Sequence, residues 1–169
     1  MNVRRLFLPA LCALALTGMT RKPDVSIRFH VEASGTEGAP FSVPVKFANP
    51  QRDGFMSSIP AISERNIVAV YPVPSPTGSW GCAFKLDENG RIGLDTLSRE
   101  HRGGSLVGFI STKGGTHQLI DMVIDRPVTD GILWLPRGLT PGEIEMLIKT
   151  YRTFGPAAPT PANAKAAKR

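Results

Sequence analysis

A chain of 169 residues, 41% of them hydrophobic and 20% charged, has room for one domain and its tails. That composition excludes a fibrous repeat, a multi-span membrane protein and a fully disordered chain. Most of the formal charge of +6 sits at the two ends, on Arg4 and Arg5 and on Lys165, Lys168 and Arg169. The nearly neutral stretch between them lacks the basic stripe that nucleic acid requires.

The N-terminus reads as an address. Arg4 and Arg5 precede an apolar run, Leu6–Leu16, and Ala13-Leu14-Ala15 offers a small-x-small cleavage pattern. Residues 1–20 are therefore expected to be a secretory signal peptide, and the mature protein to be periplasmic or secreted. The run is shorter than the roughly 20 residues that a membrane span needs, so no stable span is expected. Arg4-Arg5-Leu6-Phe7-Leu8 partly matches the twin-arginine signal, with the general secretory route preferred. Cleavage removes Cys12 and leaves Cys82, which alone makes no intrachain disulfide and is expected to be a small buried hydrophobe.

Val25, Ile27, Phe29 and Val31 alternate with polar residues and predict a half-buried strand. Ser34–Pro40 is turn chemistry. Phe41, Val43, Val45 and Phe47 alternate in turn, and Pro44, which has no N–H, places this second strand at a sheet edge. The two strands are expected to form an antiparallel hairpin with a long loop. Asn49–Gly54 reads as loop and Ile59–Glu64 as a short helical turn. Strands are expected over Asn66–Tyr71 and Gly81–Leu86, joined by a stiff Pro72–Gly78 connector. A helix comes next over about 91–102, with Leu94, Leu97 and His101 on one face and Gly103-Gly104 as its stop.

Leu106–Ile110, Gln118–Ile124 and Ile132–Leu135 are further strands, with a hairpin turn at Lys113–Thr116. Thr140-Pro141-Gly142-Glu143 is a capping box with Pro at the first helical position. Ile144, Leu147, Ile148 and Tyr151 then mark the buried stripe of a helix over 141–153. Residues 155–169 are rich in Pro, Ala and Lys and read as a disordered tail. The whole is an α+β fold, a mainly antiparallel sheet packed by two helices, in a single domain over 21–154.

Catalytic and cofactor signatures are missing: there is no H-E-x-x-H, C-x-x-C, P-loop or G-x-G-x-x-G. His30, His101 and His117 share no ligand spacing, so no metal site is expected. Asp121 and Asp125, about 13 Å apart along one strand, read as solvated charges. Trp134 reads as core. Trp80 has two readings, an exposed anchor for a partner or burial against the Pro72–Pro76 connector.

From Phe84 to Leu147 the pattern resembles the periplasmic head of SecD, the protein-export accessory factor, within a head-like region of about 80–152. Lys85-Leu86-Asp87-Glu88-Asn89-Gly90 is similar to the family's strand-to-helix turn. The stretch Ser98–Ile110 is similar to its helix, glycine stop and apolar strand. Arg126–Gly131 and Leu139–Ile144 match a later turn and helix start. The resemblance implies a head-like fold in a stand-alone exported protein, with a role as a non-catalytic binding or accessory module for extended polypeptide or another partner in the cell envelope. The candidate binding edge is Phe41, Val43, Val45 and Phe47, with Trp80. No cofactor is implied, and the oligomeric state is left open. The alternatives are a small periplasmic hydrolase with a site assembled from scattered residues such as Asp87, His101 and Ser105, and an envelope protein tethered by its basic tail.

Overall fold

A computed structural model describes residues 24–156 apart from Ala39 and Thr77. The expected signal peptide and the tail beyond Pro156 lie outside the described residues. The fold is α+β, with two helices and sheets that are almost wholly antiparallel. Ten strands are present among the described residues: β1 (Val25–Ala33), β2 (Ser42–Ala48), β3 (Gln51–Ser57), β4 (Ile67–Pro74), β5 (Trp80–Leu86), β6 (Ser105–Thr112), β7 (Gly115–Gln118), β8 (Met122–Val123), β9 (Ile132–Leu139) and β10 (Arg152–Thr153). Helix α1 spans Glu88–Glu100 and α2 spans Pro141–Thr150.

The strands form two sheets. One runs in the order β2-β3-β1-β6-β7, with β8 also on β6; the other runs β10-β4-β5-β9. Their inner faces share one core. Val25, Ile27, Phe29, Leu106 and Ile110 of the first sheet meet Val70, Phe84, Leu133 and Leu135 of the second. The Phe29 and Phe84 rings meet edge to face at 5.6 Å between centroids, a favoured aromatic geometry. Leu94 and Leu97 of α1 and Ile144 and Leu147 of α2 complete the same core.

Both helices are capped as their sequences dictate. The Asp87 carboxylate accepts from Gly90 N at 2.7 Å, so α1 starts at Glu88 rather than near Arg91. Thr140 and Glu143 form the expected reciprocal box at the start of α2, but the helix ends at Thr150 rather than at 153, because Tyr151 turns extended and Arg152–Thr153 pair with β4 as β10. Gly103, at φ +84°, comes just after the end of α1.

Strand pairing departs from the expected hairpin. β1 pairs with β6 along its length and with β3 only at Glu32 and Ala33. β2 pairs with β3, which the sequence presented as loop. The residues Gln51-Arg52-Asp53-Gly54 carry turn chemistry, yet Gly54 has a packing reason. The Phe47 ring lies across it, and a Cβ there would stand 2.7 Å from that ring. The β2–β3 hairpin thus folds over the second face of β1 and β6, where Val45, Phe47 and Val107 make a small core with Met56 and Phe109. His30, on what reads as the polar face of β1, is only 9% exposed beneath it. The expected strand 118–124 is likewise broken into β7 and β8.

Candidate functional site

β2 ends its sheet, as Pro44 requires. Its outward hydrogen-bonding positions alternate along the strand and are largely taken. Ser42 N donates to Gly38 O at 3.2 Å. Pro44 has no N–H. Lys46 O accepts from Gln118 Nε2 at 2.9 Å, and Ala48 N donates to Asp121 Oδ1 at 2.8 Å. The side chains divide similarly: Phe41 (60% exposed) and Val43 (39%) stand outward, while Val45 and Phe47 are buried. Trp80 does not join this edge. It lies 5% exposed in the core of the other sheet, which resolves its two readings in favour of burial.

The residues of the hydrolase alternative do not converge. Asp87 and His101 cap opposite ends of α1, which at 1.5 Å per residue separates them by about 21 Å. Ser105 is 2% exposed; its N–H donates to Glu32 Oε2 at 3.0 Å and its hydroxyl accepts from Arg52 Nη2 at 3.3 Å. The other histidines are also engaged apart: His30 Nδ1 donates to Ser57 O at 2.8 Å, and His117 Nε2 lies 3.4 Å from Glu143.

Asp121 is not a solvated strand charge. It is 2% exposed, and its two oxygens accept from Ala48 N at 2.8 Å and Asn49 N at 2.9 Å. It ties the turn between β2 and β3 to the wall of a cleft of about 960 Å³. Leu94, Leu97 and Leu106 form the apolar floor; Met122 and Val123 of β8 line one side and Ile132, Leu133, Trp134 and Pro136 of β9 the other. The loop along its far end is pinned to α1 and to the turn that follows it: Val128 N donates to Ser98 Oγ at 2.9 Å and Arg102 Nε to Asp125 O at 3.2 Å.

Two strand edges open on this cleft. Ile124 bonds toward β6, its N–H to Gly104 O at 2.9 Å and its carbonyl from Gly103 N at 2.8 Å. Because antiparallel pairing alternates, the N–H and C=O of Val123 point the other way, into the cleft. Gly131 O accepts from Leu86 N at 2.9 Å, so residues 131, 133 and 135 face β5 and Trp134 turns its N–H and C=O outward. Among the described residues no strand pairs with either edge here. Val123 is 46% and Trp134 48% exposed, so Trp134 is not the core residue its apolar neighbours suggested. Two signals in the sequence point to this edge. Pro136 marks β9 as Pro44 marks β2, and strict alternation puts Trp134 opposite to Leu133 and Leu135.

No protein-family model and no curated protein matches the chain. Among solved structures it is similar to SecDF, a membrane component that enhances protein export, with 14% identity over 76% of this chain and 64% of that one, at a TM-score of 0.48. It is also similar to SecDF in its super-membrane-facing form, with 14% identity over 76% of this chain and 19% of that one, at a TM-score of 0.49. The chain spans less than two thirds of the length of either. No helix among the described residues is long and apolar enough to cross a membrane.

Proposed function

We propose that the chain is an exported, non-catalytic binding module that takes up an extended polypeptide segment by strand addition in the cleft between β8 and β9. The observation that carries this reading is the pair of unpaired edges at Val123 and Trp134 on either side of an apolar cleft of about 960 Å³. A strand entering there would bond to both, joining the two sheets, while its side chains met Leu94, Leu97 and Leu106. Main-chain bonding selects for extended backbone rather than for a particular sequence, which suits an accessory role toward unfolded chains. The SecD-like pattern of residues 84–147 supports the same role and an envelope location. The β2 edge, which the sequence pointed to, keeps fewer outward groups, so the partner is assigned to β9 and β8 instead.

A photo-crosslinking amino acid at Val123, with the same label at exposed Lys113 as control, tests this. Incubation with a reduced, carboxymethylated and permanently unfolded polypeptide is expected to give adducts from position 123 only. Trp134→Pro, which deletes the outward N–H, is expected to remove them. Recovery of uncrosslinked protein alone, or equal adducts from both positions, would reject the reading.

A further inference from the structure

The edges that open on the cleft are short, and the structure shows what ends them. On β9, Ile132 N donates to the Asp130 carboxylate at 3.0 Å, so this residue leaves only its C=O to a partner. Trp134 offers both its N–H and its C=O. Pro136, the next outward position, has no N–H. Beyond it β9 leaves its line. Pairing passes from Cys82↔Leu135 to Trp80↔Leu139, so three residues of β9 stand opposite Gly81 alone. Gly81 is required there, since a Cβ would stand 2.5 Å from Pro136 O. The bulge carries Gly138, at φ +116°, to Ile120, where a Cβ would stand 3.4 Å from the backbone N. On β8 the limit is Asp125, whose C=O is already taken by Arg102 Nε at 3.2 Å.

Each edge is therefore centred on one residue, Trp134 or Val123. Successive residues of an added strand turn their main-chain groups to opposite sides. One residue of the occupant thus bonds to Trp134, its neighbour to Val123, and the residue two along to Ile132 O. With one flanking residue at each end, about five residues fill the edge between Asp130 and Pro136. The Pro136 end also carries a charge. Arg137, on the bulge, lines the cleft and is exposed, and it makes no ion pair among the described residues. Asp121, in the same lining, is already held by Ala48 N and Asn49 N. At the far end Arg126 shares the lining with Asp125 and Asp130, which offset it.

We infer that the occupant of the cleft is a short extended segment, about five residues long, with an acidic residue on the flank that meets Arg137. The inference rests on the function proposed above and adds the length and charge of what binds. A long strand gains nothing over a short one, because β9 past Pro136 does not continue the ladder. The test is fluorescence anisotropy with labelled peptides of alternating Val and Thr, of about three to nine residues, the usual range of strand lengths. Each is made with Glu or with Lys on either flank. Affinity is expected to rise up to about five residues and then level off. One Glu-flanked arrangement is expected to bind about threefold more tightly than its Lys counterpart at low salt, the scale of an exposed ion pair. Arg137→Glu is expected to invert that preference. Affinity that keeps rising with length, or a flank preference that Arg137→Glu leaves untouched, overturns the inference while the proposed function stands. Binding at no length rejects that function, and the inference with it.

Discussion

Asp121 carries out at the residue scale what no local pattern could have announced. Its carboxylate holds two backbone N–H groups of the β2–β3 turn while the side chain lies at 2% exposure. Asp121→Asn puts an amide N–H₂ against one of those donors. The expected loss is about 1.5–3 kcal/mol, the value of hydrogen bonds to a charged group, read as a lower urea midpoint at unchanged m-value. Glu32 gives a pH dependence. The Arg52 guanidinium at 2.6 Å, with Ser105 N, holds its carboxyl below the ordinary value of 4.5. A carboxyl lowered in the folded state adds stability above its unfolded value and loses it as pH falls through the folded one. Melting temperature is therefore expected to drop as pH falls below about 4.5, and Glu32→Gln to flatten that drop. Cys82 is 0% exposed, and burial pushes its thiol up to about 12. Iodoacetamide at neutral pH should leave the native thiol unmodified and label it fully in urea, as followed by mass spectrometry.

At the scale of elements, the helices and the apolar strands were legible because their signals are local. A capping box, a 3.6-residue stripe or a period of two needs nothing beyond the neighbouring residues. β3 and the break between β7 and β8 were not, because both are made by contacts distant in sequence. β3 exists through β2 and through the Phe47 ring seated on Gly54. The 119–121 segment leaves the strand so that Asp121 can reach residues 48 and 49. The candidate site divides in the same way. Pro44 and Pro136 both mark edge strands, but which edge stays open depends on Gln118 and Asp121 arriving at β2 and, among the described residues, no strand arriving at β9. The proposed strand addition at β8 would use the N–H of Val123. Val123→Pro is expected to weaken binding of an unfolded polypeptide at least tenfold, measured by fluorescence anisotropy, while Val123→Thr, which keeps that N–H, binds normally.

For the molecule as a whole, stability rests on the two sheets meeting across one core. Phe29 and Phe84 join them, both 0% exposed. Phe84→Ala is expected to cost about 3–5 kcal/mol in denaturant unfolding. A double-mutant cycle with Phe29→Leu should return a coupling of about 0.5–1.5 kcal/mol for the edge-to-face pair. Additive losses would mean that each ring acts only by filling space.

The sequence by itself determined the class of fold, both helices and the edge position of β2, since composition, caps and periodicity act over a few residues. Only the tertiary structure decided that β1 turns to β6 rather than to β2, that Trp80 is inside and Trp134 outside, and that, among the described residues, β8 and β9 leave unpaired edges on the cleft. The physical reason is that an edge is defined by what fails to pair with it. That depends on where every other strand goes, and no window of neighbouring residues contains that information.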